Sequence, residues 1–170
     1  CGTWWRADIN VDGTPRGYGI YEVNGDQLKW IYKSAGYPLE HQFHAYPAGS
    51  SDEYPSDIIA NVWNWDDLWK VEWYENGQRM GEMQKYKGYD PMAKAICSDK
   101  EKVKYDWISP VLTEHLIHAT PHDPNARQEI LGRQHGVAAT SRSYFSWKGY
   151  SRKTCICFRF MESSENLCRL

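Results

Sequence analysis

Apolar and polar side chains alternate with a period of two along "QLKWIYK", where Leu28, Trp30 and Tyr32 fall on one face and Lys29, Ile31 and Lys33 on the other. They alternate again along "WKVEWY", where Trp69, Val71 and Trp73 oppose Lys70, Glu72 and Tyr74. Successive side chains of an extended backbone point to opposite sides, so this period predicts two half-buried β-strands. Each is one arm of a hairpin. "YGIYEV" precedes the first across Asn24-Gly25-Asp26, and Asn76-Gly77 leads from the second into "QRMGEM". Asn-Gly tolerates the positive φ that a two-residue hairpin turn requires.

Between these hairpins, "DIIANVWN" predicts another strand, ended where residues 64–67 turn the chain; further on, "TEHLIHATP" predicts one that Pro121 stops. Asp12-Gly13-Thr14-Pro15 with Gly17, and the longer "YPAGSSDEYPS", are rich in turn formers and read as loops. One helix is predicted in "YDPMAKAI": Asp90 offers a capping carboxylate, Pro91 suits the first helical position, and residues 92–96 are mostly good helix formers. No repeat, low-complexity tract or linker divides the chain. The pattern predicts an all-β fold, a two-sheet antiparallel β-sandwich with Greek-key or jelly-roll-like connections and one short helix. From "GRQHG" onward the alternation breaks, and Ser, Arg and Lys recur without a clear face.

Composition and charge narrow the function. A chain of 170 residues supports one domain with a real core. Its formal net charge of -2, with both signs interspersed, advertises no basic surface for phosphate-driven binding, so nucleic acid is not an expected partner. No apolar run approaches the roughly 20 residues that span a bilayer, and "CGTWWRADIN" lacks the basic-then-apolar order of a signal peptide. A soluble chain without a membrane-spanning segment is expected, and a start at Cys1 rather than Met reads as a processed chain or an excised piece. The cysteines, Cys1, Cys97, Cys155, Cys157 and Cys168, are odd in number and include no C-x-x-C pair, so neither a structural zinc site nor a complete disulfide framework is indicated. Nine Trp and twelve Tyr suit a β-sandwich core and equally a β-rich binding surface.

Candidate chemistry is sparse. His41 and His44, and His115 and His118, have the spacing of a helical metal pair, but on a strand positions i and i+3 face opposite sides, so no metal is expected at either. Cys155 and Cys157 read as ordinary thiols. Asp66, Asp67, Glu72 and Glu75 fit a polar turn and a solvated strand face better than paired acid-base carboxylates. Asp8, Asn10, Asp12 and Gly13 imitate the opening of a calcium loop, yet Gly19 stands where its bidentate Glu belongs. No catalytic residue is therefore assigned. Trp69 and Trp73, in register with Val71, are expected in the core. Trp63 and Trp65 sit beside Asn64 and Asp66, groups able to hydrogen-bond a sugar or another protein, and these four are the expected ligand or domain-interface contacts, nearer the surface.

The motifs also run in a recognisable order. "GTWW" (residues 2–5), "DGTPRGY" (12–18), "YEVNG" (21–25), "YKSAGYP" (32–38), "ANVWNWD" (60–66), "WKVEWYENG" (69–77), "GYDPMA" (88–93) and "TEHLIHATP" (113–121) resemble the C-terminal domain of bacterial, Bacteroidetes-type, calcineurin-like metallophosphoesterases. The likeness covers residues 1–126, as one β-sandwich accessory domain. Residues 127–170 depart from it: a final alternating strand, a D-R-x-G hairpin and an early stop are expected, and "GRQHG" is a faint echo. That segment reads as an atypical extension, either completing the sheet or disordered, or as a change of reading frame.

The resemblance implies a periplasmic or extracellular parent enzyme whose catalytic domain binds two metal ions through D-x-H, G-D, G-N-H and G-H-x-H motifs. Apart from Gly25-Asp26 in a hairpin turn, none of these occurs here. The implied role is a non-catalytic accessory domain without a cofactor of its own, whose partner is the parent's phosphoesterase domain, which it packs on and helps shape. The alternative is an independent carbohydrate-binding or adhesion module.

Overall fold

The computed structural model describes residues 8–103, 105–134 and 140–146. In chain order its elements are β1 (Gly17–Asn24), β2 (Gln27–Ser34), β3 (Phe43–Tyr46), β4 (Ile58–Val62), β5 (Trp69–Glu75), β6 (Gln78–Glu82), β7 (Gln84–Tyr89), α1 (Pro91–Ser98), β8 (Leu112–Ala119), β9 (Arg127–Gln134) and β10 (Thr140–Ser146). Two four-stranded antiparallel sheets, ordered β3-β4-β8-β7 and β10-β9-β5-β6, pack face to face; β1 and β2 form a separate two-stranded sheet. The all-β sandwich with one helix is thus the observed architecture.

The sandwich core follows from strand periodicity. Trp69, Val71, Trp73 and Ile130 come from one sheet and Phe43, Ala45, Ile58, Ala60, Val62 and Ile117 from the other, all buried in one cluster closed by Met83 where β6 passes into β7. Gly132, opposite Val71 in the ladder, leaves room for two large neighbours: a Cβ there would stand 3.1 Å from the Phe43 ring and 3.2 Å from the Trp69 ring. The first sheet also buries its other face, where Tyr46, Ile59, Tyr86 and Leu116 pack with Tyr54 and Met92. Its central strand β4 is therefore buried at every position.

Turn chemistry fixes both hairpins. Asn76 and Gly77 have φ of 50° and 82°, the pair of positive values of a type I′ turn. In the first hairpin the turn is one residue later than the Asn-Gly motif suggests: Asn24 pairs with Gln27 in the ladder, and Gly25, at φ 62°, opens the turn. The expected strand 57–64 also ends earlier, because Trp63 and Asn64 turn the chain, with Asn64 at φ 57°. A second departure concerns β2, which is not half-buried along its length. It joins neither large sheet, so only its base is covered.

Helix α1 starts as its sequence dictates. Asp90 caps it, accepting a 2.8 Å hydrogen bond from the Ala93 amide, and Pro91 occupies the first turn. In the last third, β9 lies between β5 and β10, so the sandwich runs past residue 126. Cys97 is a buried free thiol; Cys1, Cys155, Cys157 and Cys168 lie outside the described residues.

Two substitutions test this packing. Trp73→Ala should cost roughly 3–5 kcal/mol of unfolding free energy through lost burial and a residual cavity. Gly77→Val should lower the denaturant midpoint, because a β-branched residue resists positive φ, whereas Gly77→Asn should be tolerated; equal midpoints for the Gly77 pair would remove the turn assignment.

Candidate functional site

The stretch Trp63, Asn64, Trp65 and Asp66 is held from both sides. Trp63 is only 1% exposed; its indole nitrogen donates to the His41 carbonyl at 2.8 Å and its amide to the Gln42 carbonyl at 3.0 Å. The expectation that Trp63 stands near the surface is therefore corrected. Asn64, not Trp63, breaks the strand alternation, and the turn folds the indole under the β2–β3 connection. Trp65 is half-buried against the sandwich core with the Lys85 ammonium 5.5 Å from its ring. Asp66 orders the turn by accepting from the Leu68 amide at 2.8 Å, and the Asn64 carbonyl accepts from the Trp69 indole at 3.3 Å. The Asn64 side-chain amide and the Trp65 indole nitrogen are buried without a hydrogen-bond partner among the described residues.

The densest polar cluster lies on the far face of the first sheet. Asn61, fully buried on β4, donates through Nδ2 to Asp90 Oδ2 at 2.7 Å and to the Asp12 carbonyl at 2.9 Å. The Tyr46 hydroxyl donates to the same Asp90 oxygen at 2.7 Å. His115 Nδ1 donates to Asn61 Oδ1 at 2.6 Å, which leaves its Nε2 3.7 Å from Asp12 Oδ2. Burial pushes the Asp12 carboxyl up, but the nearby His115 imidazole and the hydrogen bond from the Thr14 amide outweigh it and hold it below the usual carboxylate range. The Tyr46 hydroxyl is pushed well up, by burial and then by Asp90. Gly13, at φ 84°, is pressed on this cluster: a Cβ would stand 2.1 Å from Asp90 Cγ.

A second pair flanks it. His118 Nδ1 donates to Asp57 Oδ2 at 2.6 Å, with the Tyr54 ring 3.9 Å and the Tyr86 ring 5.2 Å from the imidazole. His115 and His118 thus face the same layer, contrary to strand parity. The reason is a bulge: Tyr86 pairs with Leu116 but Gly88 with Thr113, so β8 has one residue more than β7 and His115 turns to the Asn61 side. They do not act together, since each has its own partners. His41 and His44 also part: His41 stacks on Tyr37 at 4.2 Å and lies 5.1 Å from Trp63, while His44 meets Tyr46 edge-on.

The other sequence candidates have local partners. In the loop 8–16, Asp12 Oδ1 accepts from the Thr14 amide, Asn10 Nδ2 donates to the Thr14 carbonyl, and Asp8 pairs with Arg16. Glu72 pairs with Arg79, and Glu75 accepts from the Asp123 amide. Among the described residues no group of three or more His, Cys, Asp and Glu is arranged to hold a metal ion, so the residues present do not fit a two-metal centre. No helix among them is long and apolar enough to cross a membrane.

What the described surface offers is aromatic and apolar. Tyr18, Tyr21, Val23 and Leu28 of the first hairpin are 58%, 65%, 74% and 52% exposed. Tyr105 and Trp107 stack with centroids 5.9 Å apart in the loop after α1. The hairpin group escapes sequence reasoning for one reason. The alternation of β1 and β2 signals a buried face, and nothing in the residues says that neither large sheet supplies the cover.

A family model described as the C terminal of calcineurin-like phosphoesterase matches residues 1–131. No curated protein and no solved structure matches the chain.

The buried histidine gives a pH test. Burial, then the neighbouring His44 and Lys33, lowers the His41 imidazole to about 4 from 6.5. The folded chain disfavours the protonated ring, so the unfolded chain binds the proton first as pH falls. Stability present above pH 6.5 should be lost progressively between 6.5 and about 4, by about 3 kcal/mol on His41 alone. His41→Phe should flatten the measured slope of unfolding free energy against pH in that window, leaving a residue from His44, which burial also lowers. An unchanged slope would show that His41 titrates normally.

Proposed function

The chain belongs to the family of C-terminal domains of calcineurin-like phosphoesterases, and from that premise we propose that it is the non-catalytic accessory domain of such an enzyme, packing on the phosphoesterase domain and helping to shape its active site. The observation that carries the reading is the family match over residues 1–131. The polar clusters support it from a second direction. Asp90, Asn61, His115 and Asp12 engage one another across the sheet, α1 and the 8–16 loop, and His118 engages Asp57 next to the start of the neighbouring strand of that sheet. The two metal ions of the parent, with the hydroxide they supply, belong in this reading to the other domain. The bacterial, Bacteroidetes-type origin and the periplasmic or extracellular location implied by the resemblance are part of the same proposal.

A second reading, an independent carbohydrate-binding or adhesion module, is favoured by one observation. Tyr105 and Trp107, 62% and 68% exposed, present stacked rings of the kind that pack on sugars. Quenching of intrinsic fluorescence by a polysaccharide, lost in Trp107→Ala, would favour it.

The leading reading is tested by activity. The isolated chain, given manganese or zinc and an aryl phosphate mono- or diester, should release product no faster than the same metal in buffer, whereas the protein that includes the phosphoesterase domain should turn over. Release by the isolated chain that disappears when His115 and His118 are replaced would overturn the non-catalytic assignment. Absence of metallophosphoesterase motifs in the sequence encoded upstream would overturn the parentage.

A further inference from the structure

We infer that the tip of hairpin β1–β2 is the surface by which this chain docks on its phosphoesterase domain, an inference that rests on the function proposed above. In the ladder Tyr21 faces Trp30 and Val23 faces Leu28, so four apolar side chains stand together on one side. The other side carries Glu22, Lys29, Asn24 and Gln27 toward the tip, and the half-buried Ile20–Ile31 pair with Tyr18 and Lys33 nearer the base. Toward its tip the hairpin is thus amphipathic, yet the apolar side is open there: Tyr21, Val23 and Leu28 are 65%, 74% and 52% exposed. A two-stranded ribbon alone is marginal in water, and a soluble domain rarely leaves such a patch uncovered without a use for it.

Among the described residues, the contacts that fix the hairpin to the sandwich side of the molecule lie at its base. Tyr32 is buried, its hydroxyl donating to the Pro15 carbonyl at 2.7 Å; Gln42 Nε2 donates to the Tyr32 carbonyl at 2.6 Å; and the Ala35 amide donates to the Arg16 carbonyl at 2.7 Å. The tip projects from this anchor.

Chain geometry selects the occupant. The family match makes this the C-terminal part of the enzyme, so the phosphoesterase domain joins it from the N-terminal side. The first described residue, Asp8, is fastened to the root of the hairpin: the Arg16 amide donates to the Asp8 carbonyl at 3.1 Å, the Arg16 guanidinium lies 2.9 Å from its carboxylate, and Ile9 bridges Pro15. The chain therefore arrives beside Gly17, where the hairpin leaves. A domain tethered there is held close to the hairpin at high effective concentration, so a small aromatic and aliphatic contact suffices to dock it. No comparable tether holds a second copy of the chain at this face.

Hydrogen exchange tests the inference on the linked protein and on the isolated 170-residue chain. Amides of residues 20–31 should exchange at least tenfold more slowly in the linked protein, and Val23→Lys with Leu28→Lys should abolish that protection. Leu68→Lys, at a comparably exposed apolar residue in the β4–β5 turn, should leave it intact. Thermal midpoints of the isolated variants should match the parent chain, which keeps docking separate from folding. Linked-domain protection confined to another surface would overturn the hairpin inference and leave the accessory reading standing. No protection anywhere would sink both. Protection already present in the isolated chain, and lost either on dilution or on deletion of residues 147–170, would assign the face to a second copy or to the chain's own end and overturn the inference.

Discussion

The buried carboxylate of Asp90 is the joint on which the layers of this domain depend. It is wholly removed from water, and a charge or polar group in that position is tolerable only if its oxygens are met by donors. Three meet them: Tyr46 from β3, Asn61 from β4 and the Ala93 amide from the first turn of α1. One side chain thereby caps the helix, ties it to the centre of the first sheet and leaves room above itself for the Asp12-Gly13 turn. Gly13 is the residue that allows that approach, since any Cβ would enter the carboxylate. Removing one donor leaves the others facing an under-satisfied buried group, so the set behaves as a unit rather than as a sum of bonds.

That joint divides the molecule into a part that is self-sufficient and a part that is not. The sandwich core is closed by side chains of both sheets, and the far face of the first sheet is closed by α1, Tyr54 and the 8–16 loop. The β1–β2 hairpin lies outside both layers, and among the described residues its anchors lie at its base, where Tyr32 and Ser34 are buried. Its apolar side has no cover from either sheet. The buried polar groups thus join the domain's own elements, and the exposed apolar side chains of the hairpin stand on a projecting ribbon.

The core was legible because the strand period is a local property. Trp69, Val71 and Trp73 had to share a face, Asn76-Gly77 had to turn, and Asp90-Pro91 had to start a helix, whatever the rest of the chain did. Apart from the shifted first turn and the early end of β4, the misreadings are non-local. Trp63 reads as exposed because it neighbours Asn64 and Asp66, but its burial is decided by the His41 and Gln42 carbonyls, which reach it across the β2–β3 connection. His115 and His118 read as opposed because parity assumes an unbroken ladder, and one extra residue in β8 reverses that. The polar cluster was invisible as a cluster: Asp12, Asn61, Asp90 and His115 lie in four separate motifs far apart in sequence, and no local spacing joins them.

The calcium-like spacing of Asp8, Asn10, Asp12 and Gly13 has its explanation in the same geometry. Acidic and amide side chains at alternate positions suit a cation loop, but they equally suit a turn that must satisfy its own amides while lying against a buried carboxylate. Here the second demand is met: Asp12 accepts from Thr14, Asn10 donates back to the Thr14 carbonyl, and Asp8 is paired with Arg16. The loop therefore works as a clamp. Because Asp8 is fixed to Arg16 at one end and Gly13 to Asp90 in the middle, the direction in which the chain enters the domain is set relative to the sandwich and to α1. A domain attached upstream would inherit that direction, and the hairpin rooted at Gly17 would meet it in a defined orientation. In the docking proposed above, the polar joint therefore sets the direction from which the phosphoesterase domain reaches the hairpin.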